Sequence, residues 1–154
     1  MARGYFSVAG IAQTISTAIT ALEMTCPSNG VLFVDRIWLE QTTVTAVGTR
    51  ARAQILFKTA ACTGTASPPA PTSNDSLATS GVSVRWVATA EGTAGDIKYD
   101  ESFDYVAGYL WTPSNARERI VVFGGGNHSI LALKFPAAPT SASWTFGFAW
   151  DEYV

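Results

Sequence analysis

The sequence predicts an all-β sandwich or barrel, and three observations support this fold class. Apolar residues alternate with polar ones through most of the chain, a period of two that is typical of half-buried strands. The alternating segments are short, and turn sequences rich in Gly, Pro, Ser and Asn separate them. Helical periodicity is hard to find. Many short antiparallel strands joined by such turns favour a sandwich or a barrel.

About nine segments have the composition and alternation of strands. Residues 14–25 have the length of a helix, but their threonines and β-branched side chains favour a strand. In residues 50–58, Ile55 and Phe57 alternate with polar side chains, which predicts a half-buried strand. The full set of strand candidates is 3–9, 14–25, 31–43, 50–58, 82–90, 96–103, 118–123, 129–135 and 142–150.

Residues 31–43 are apolar on both sides of the expected strand. Strict alternation divides the apolar side chains into two faces, namely Val31, Phe33, Ile37 and Leu39 against Leu32, Val34 and Trp38. We therefore expect part of this strand to be covered on both sides.

The closing strand carries large aromatic residues at every second position. With this spacing they leave the same side of the strand, and they are Trp144, Phe146, Phe148 and Trp150. Large apolar side chains are normally inside a protein, so we expect the stripe to belong to the core. The opposite side is small, which lets a second layer or a neighbouring subunit come close; it consists of Ser143, Thr145, Gly147 and Ala149.

The chain fits a single domain spanning residues 1–154. Its 154 residues, 47% of them hydrophobic, suffice for a sizeable core, and we find no internal repeat. Residues 59–81 are rich in Pro and small side chains, so we expect a long loop inserted within the domain. The first residues lack the apolar region of a signal peptide and no segment has the apolar length of a membrane span, so we expect a soluble protein.

Charged residues are few and nearly balanced. They make up 14% of the chain, and the formal net charge is −2. Phosphate backbones are bound through clustered Lys and Arg, whereas the two close basic pairs, 50/52 and 117/119, are each interrupted. We therefore expect no nucleic-acid partner.

No catalytic, metal or cofactor motif stands out. Cys26 and Cys62 match no metal or redox spacing, so they form either a disulfide or two buried free thiols. His128 lies in a glycine-rich turn without a nucleophile motif, and we expect an exposed turn residue. The densest acidic group is spaced too widely for one calcium ion and is expected to be a solvated strand face; its members are Asp96, Asp100, Glu101 and Asp104. We expect no enzyme activity, no metal and no cofactor.

Residues 99–123 resemble a pattern in small structural proteins of tailed bacteriophages. The matching positions are Glu101, Phe103, Ala107, Gly108, Leu110, Trp111, Pro113, Glu118, Arg119 and Ile120. Proteins of this group often open with a segment similar to residues 1–6. They tend to close with an apolar strand, a turn like Ala138-Pro139 and a Trp-acid-acid end like Trp150-Asp151-Glu152. The two cysteines and the strongly aromatic last strand depart from the pattern.

The resemblance implies a jelly-roll domain of about eight or nine strands that decorates a phage head. Such a protein binds the outer surface of the capsid as a cement or decoration trimer and stabilises it. The implied partners are two further copies of the chain, in a homotrimer, and the major capsid protein of the head, with no membrane partner. The implied location is the outside of the virion, after synthesis in the host cytoplasm.

Two irregular segments are expected to make the subunit or capsid contacts, namely an N-terminal arm at about residues 1–8 and the 59–81 loop. The candidate contact residues are Arg3, Tyr5, Phe6, Pro68, Pro69, Pro71, Tyr153 and Val154. Deletion of residues 2–6 is expected to abolish head binding and to leave the fold intact.

Two alternatives within the virion stay open, and outside it an enzyme such as a small hydrolase, which a loss of activity on mutation of His128 would support. Exposed aromatic side chains would suit a carbohydrate- or receptor-binding component, and the candidates are Trp38, Trp86, Trp111 and Tyr109. A head-to-tail adaptor or a tail structural protein is the other alternative.

Overall fold

The structure, a computed structural model, describes residues 2–42, 49–71, 79–140 and 142–153. Within these ranges the chain forms twelve strands and one short 3-10 helix, Ala116–Glu118. The strands are β1 (Ala2–Ile15), β2 (Ile19–Thr25), β3 (Val31–Gln41), β4 (Arg50–Lys58), β5 (Thr63–Ala66), β6 (Ala70–Pro71), β7 (Ser83–Ala90), β8 (Ala94–Asp104), β9 (Tyr109–Trp111), β10 (Ile120–Phe123), β11 (Ile130–Phe135) and β12 (Ala142–Tyr153).

The strands form two six-stranded antiparallel sheets that pack face to face. Sheet A has the order β10-β3-β12-β1-β6, and β9 also pairs with β3; sheet B has the order β5-β7-β2-β11-β4-β8. The predicted all-β sandwich is confirmed, with twelve strands rather than eight or nine. The strands missing from the prediction, β5, β6 and β9, have four, two and three residues, which is too short for an alternating pattern to be recognised.

The strand pairing is nested, which makes the sandwich a jelly roll. The first strand, β1, pairs with the last, β12, and β2 pairs with β11. Further in, β3 pairs with β10 and β4 pairs with β8. This is an antiparallel ribbon rolled into two sheets, the arrangement of a jelly roll. The three remaining strands between β4 and β8 extend both sheets at their edges.

The aromatic stripe of β12 forms the centre of the core. All four of its side chains are fully buried: Trp144, Phe146, Phe148 and Trp150. Trp144 contacts the rings of Phe103, Tyr105 and Phe135, with centroids 6.0, 5.0 and 5.1 Å away. The prediction that this stripe belongs to the core is confirmed.

The predicted faces of β3 are wrong, because a β-bulge interrupts the alternation. Ala149 of β12 lies opposite Arg36 and the next residue lies opposite Val34, so Asp35 is an extra residue in β3. The bulge reverses the sides of all residues after it. The side chains that face the core are therefore Leu32, Val34, Ile37 and Leu39, which are all buried.

Residues 2–8 do not form a separate arm. They are the first half of β1, which pairs with β12 from Ala2 opposite Tyr153 to Ile15 opposite Ala142. Phe6 is fully buried and stacks on Trp150 at 6.2 Å, so its side chain completes the core of its own chain. The proposed deletion of residues 2–6 would therefore damage the fold and is not a test of head binding.

The predicted loop at 59–81 is partly strand. Within it β5 pairs with β7 in sheet B, and β6 pairs with β1 in sheet A. The insertion thus contributes to both sheets, while residues 72–78 lie outside the described residues.

Candidate interaction surface

The outer face of sheet B is covered by the chain itself. Residues 59–62 lead from β4 to β5, and residues 91–93 lead from β7 to β8. Since β4 and β8 lie at one edge of sheet B and β5 and β7 at the other, both connections run across the sheet from edge to edge. A backbone hydrogen bond of 3.0 Å from Thr59 to Thr93 joins them. Beneath them, Leu56 and Ala132 are almost completely buried on the side of the sheet that faces away from the core.

A buried ion-pair network holds this cover in place. Lys58 and Glu23 are both fully buried, and Lys58 Nζ lies 3.2 Å from Glu23 Oε2 and 3.1 Å from Glu91 Oε2. Lys58 Nζ also donates to Thr20 Oγ1 at 2.8 Å. Both carboxylate oxygens of Glu23 accept from the backbone N–H of Cys62 at 3.0 Å. The network thus joins β2 and β4 to both covering connections.

The pKa values of the titratable groups in this network indicate a structural role rather than a catalytic one. Burial alone would raise the pKa of Glu91, but hydrogen bonds from Thr20 and Lys58 hold it below its ordinary value. Burial and the nearby carboxylate of Glu23 raise the pKa of the Cys62 thiol to about 11. A thiol is nucleophilic only as its thiolate, so Cys62 is unreactive at neutral pH. Cys26 is likewise a free, buried thiol.

The outer face of sheet A, by contrast, has no covering segment among the residues that the structure describes. We call it the sheet A face. Its apolar side chains come from four adjacent strands and include Val31, Phe33, Trp38, Leu110, Val121 and Tyr153. Leu110 is 64% exposed and Tyr153 is 40% exposed. Isolated apolar residues on a surface need no explanation, but a continuous set across several strands indicates an interaction site.

An ion-pair group lies in the middle of the sheet A face. Arg119 Nε is 2.7 Å from Asp35 Oδ1, and its Nη1 donates to Asp151 Oδ2 at 3.1 Å. Burial raises the pKa of Asp35, an effect that the Arg119 charge opposes. Burial and the charge of Asp35 also raise the pKa of Tyr5. Because these charges are satisfied within the face, a partner need not supply opposite charges in order to cover it.

Trp38 covers the small side of β12. A Cβ atom added to Gly147 would lie 2.1 Å from Trp38 Cζ2, so the indole rests directly on the glycine backbone. The Arg36 guanidinium carbon lies 4.8 Å from the Trp38 ring centroid and stacks on it. The small residues of β12 therefore admit a side chain of the same protein, which leaves Trp38 half-buried in the sheet A face.

The predicted contact residues do not form one surface. Tyr5 and Tyr153 lie on the sheet A face, with the Tyr153 ring 5.4 Å from that of Phe33. Pro68 and Pro69 lie instead near β7, at the other edge of the molecule, beside a backbone hydrogen bond from Ser67 to β7. The others are Phe6, which is buried in the core, Arg3 and Pro71, whose side chains lie outside the described residues, and Val154, which lies outside them altogether.

The sequence-based prediction missed most of the sheet A face. It assigned Phe33 to the same face as two core residues and did not consider Asp35, Arg119 or Asp151 as contact residues. The available signal was the polar pair Asp35-Arg36 inside an otherwise apolar strand, which marks the bulge.

The residues considered for catalysis or metal binding do not come together in one site. His128 is exposed in its turn and its Nε2 lies 3.0 Å from Asp96 Oδ2. Asp100 pairs with Arg52 and Gln54, and Asp104 Oδ1 accepts from the backbone of the adjacent turn. Among the described residues no three His, Cys, Asp or Glu side chains are grouped as metal ligands would be.

The aromatic residues considered for glycan binding are also separated. Trp111 and Tyr109 are buried in the core, while Trp86 is partly buried against it. Trp38 alone belongs to the sheet A face. These four rings do not form a platform.

Neither the known protein families nor the curated proteins include a significant match to this chain. In the ranges that the structure describes, no helix has the length and apolar character needed to cross a membrane.

Proposed function

We propose that this protein is a structural component of a bacteriophage virion that binds the outside of the head as a cement or decoration trimer and stabilises the capsid. Its partners are two other copies of itself and the major capsid protein. It acts there without catalysis, after synthesis in the host cytoplasm. The sequence resemblance motivates this proposal, and the uncovered sheet A face is the observation that supports it best.

The contrast between the two outer faces supports an assembly role. The chain covers sheet B with its own connections, yet it leaves aromatic and aliphatic side chains of sheet A in contact with solvent. Interface centres are poor in charge and rich in aromatic residues and Arg. The sheet A face is likewise rich in aromatic residues and Arg, with Phe33, Trp38 and Tyr153 beside Arg36 and Arg119. The carboxylates within it, Asp35 and Asp151, are paired with Arg119.

The residues that carry the resemblance have positions that suit a scaffold. Phe103 and Trp111 are buried in the core, and Gly108 adopts a positive φ of 70° that favours glycine. Arg119 and Asp151 come from two separate parts of the pattern and pair with each other across the sheet A face. Members of the pattern therefore contribute to both the core and this face, which supports an assembly role.

The first test is the assembly itself. We expect a trimer by multi-angle light scattering, and co-sedimentation with emptied, expanded heads of a phage that carries the protein. Gold-labelled protein should decorate the head in negative-stain images. A stable monomer without affinity for heads would contradict the proposal, and label confined to the tail would favour an adaptor or tail protein instead.

Matched variants test the sheet A face. Leu110→Arg and Tyr153→Arg place a charge on this face, and we expect each to reduce trimer formation or head binding at least about tenfold, since a buried unpaired charge is costly in an interface. Ile97→Arg is the control, because Ile97 is 53% exposed but lies on β8 of sheet B. Equal assembly by all three variants would exclude the sheet A face as the contact.

A further inference from the structure

A groove of about 390 Å³ opens between the two sheets. It lies where the edge strand β10 of sheet A faces the edge strand β8 of sheet B. Phe57, Tyr99, Ile120 and Phe123 supply its apolar lining, and Phe123 is 51% exposed. Its volume falls within the range of small-molecule sites.

Polar groups on both rims of the groove are held in place by neighbours. On the β10 side, Glu118 accepts hydrogen bonds from Ser114 N at 3.1 Å and from Asn115 Nδ2 at 2.9 Å. A carboxylate has about four acceptor positions, so Glu118 keeps acceptor capacity for a ligand. On the other side, Lys98 Nζ lies 5.3 Å from the Phe57 ring centroid and offers a donor.

His128 adds a second fixed group on the side of Lys98. Its ring packs on Phe57 with centroids 4.6 Å apart, and its Nε2 pairs with Asp96. With Nε2 engaged by Asp96, the second ring nitrogen, Nδ1, is the one left to hydrogen-bond a ligand. The groove therefore presents donors and acceptors in fixed positions around an exposed aromatic ring.

This combination limits the class of ligand. Among the cations that line the groove, Lys98 is balanced by the Glu118 carboxylate on the other rim, and Arg119 is already paired with Asp35 and Asp151. A charged ligand therefore gains little net attraction. A purely apolar ligand would strip water from these charged groups without replacing their hydrogen bonds, which is costly. A neutral polyhydroxylated molecule avoids both problems because each hydroxyl both donates and accepts, while its C–H face packs on an aromatic ring.

We infer that the groove between β8 and β10 binds a neutral saccharide unit, with Phe123 and Tyr99 as the stacking surface and Glu118, Lys98 and His128 as hydrogen-bonding groups. The inference does not depend on the proposed virion role. It also concerns residues other than the four aromatic residues considered from the sequence.

The test is saturation-transfer NMR of the full chain with a panel of neutral mono- and disaccharides and with glucuronate as an anionic comparison. We expect saturable binding of at least one neutral sugar. Phe123→Ala should weaken it about tenfold, as expected for the loss of a stacking ring, and Phe123→Trp should retain it. Leu110→Ala is the matched control, since it removes an exposed apolar side chain from the sheet A face.

Three results would overturn the inference. They are a panel without a saturable binder, binding of glucuronate in preference to every neutral sugar, and a Phe123→Ala variant that binds as tightly as the wild type. Because Phe123 is half exposed, its variants should fold, and a thermal melt equal to that of the wild type verifies this. Phe123 lies opposite Val31 and so also borders the sheet A face. Head binding is therefore tested with Leu110→Arg and Tyr153→Arg, whose positions do not line the groove, so the sugar test and the test of the proposed function can fail independently.

Discussion

Lys58 has an environment that few lysines have. It is completely buried, and its ammonium group is surrounded by Glu23, Glu91 and Thr20. Without Lys58, the buried Glu23 carboxylate keeps the more distant, partly exposed Arg85, whose Nη1 lies 3.7 Å from Glu23 Oε1. Breaking a buried ion pair by removing one partner costs about 3–5 kcal/mol. We therefore expect Lys58→Met to lower the free energy of unfolding by about that amount, as measured by urea denaturation.

Two further variants separate the charge effect from packing. In Lys58→Met/Glu23→Leu the second change removes the buried carboxylate that has lost its nearest cation, so the double variant should be more stable than the single one. Arg52→Met breaks the exposed Arg52–Asp100 pair and should change stability little. A Lys58→Met protein as stable as the wild type would show that the network contributes nothing to folding.

Gly147 is constrained by space rather than by backbone conformation. An added Cβ would lie 2.4 Å from the backbone oxygen of Val8 and 2.1 Å from Trp38 Cζ2. The carbonyl belongs to the neighbouring strand and cannot move aside without breaking the pairing of β1 with β12. Gly147→Ala should therefore destabilise the fold by about 2 kcal/mol or more and shift the Trp38 fluorescence to longer wavelength as the indole is displaced.

The control for Gly147→Ala is Thr145→Ala, on the same strand and face. Thr145 is only half-buried, so its truncation should have a small effect on the melting temperature. Equal melting temperatures for the two variants would mean that Trp38 does not lie against β12 in solution.

At the scale of single elements, the sequence predicted the strands whose pattern is purely local. Trp144 and Trp150 mark one face of β12 because strict alternation runs through the whole strand and nothing interrupts it. In β3 the same reasoning failed after Asp35, since one extra residue exchanges the two faces. The number of residues in a bulge depends on the partner strand, which alternation within β3 does not reveal.

Features that depend on contacts between distant parts of the chain could not be predicted from the local alternation of apolar and polar residues. Glu23 and Lys58 occupy positions that alternation assigns to the solvent side, and they are buried only because residues 59–62 and 91–93 cross over them. Similarly, the sheet A face combines Leu110, Phe33 and Tyr153 from three strands, and the groove combines β8 with β10. Such sites become visible only when the order of strands in each sheet is known.

At the scale of the whole molecule, the jelly roll has one face closed by its own chain and one face that none of the described segments covers. The closed face depends on two short connections and a buried ion-pair network. The core between the sheets depends on aromatic packing contributed by both sheets. These are different kinds of stabilisation, so we expect the cover of sheet B to open without separation of the two sheets.

The reactivity of the two cysteines distinguishes opening of the sheet B cover from unfolding of the core between the sheets. Cys26 belongs to the core cluster, whereas Cys62 lies in the connection that covers sheet B. Burial raises the pKa of Cys26 to about 12 and that of Cys62 to about 11, so at pH 8 both thiols should react slowly with iodoacetamide. We expect Cys62 to react first, because a local opening exposes it, while Cys26 requires global unfolding.

Peptide mass spectrometry after timed alkylation measures both rates in one sample. Low concentrations of urea should strongly increase the alkylation rate of Cys26 and only weakly increase that of Cys62. The reason is that global unfolding exposes far more surface than the opening of a short connection. If both thiols instead react at one rate with one urea dependence, the cover and the sandwich unfold together. The closed face of sheet B would then be part of the same cooperative unit as the aromatic core.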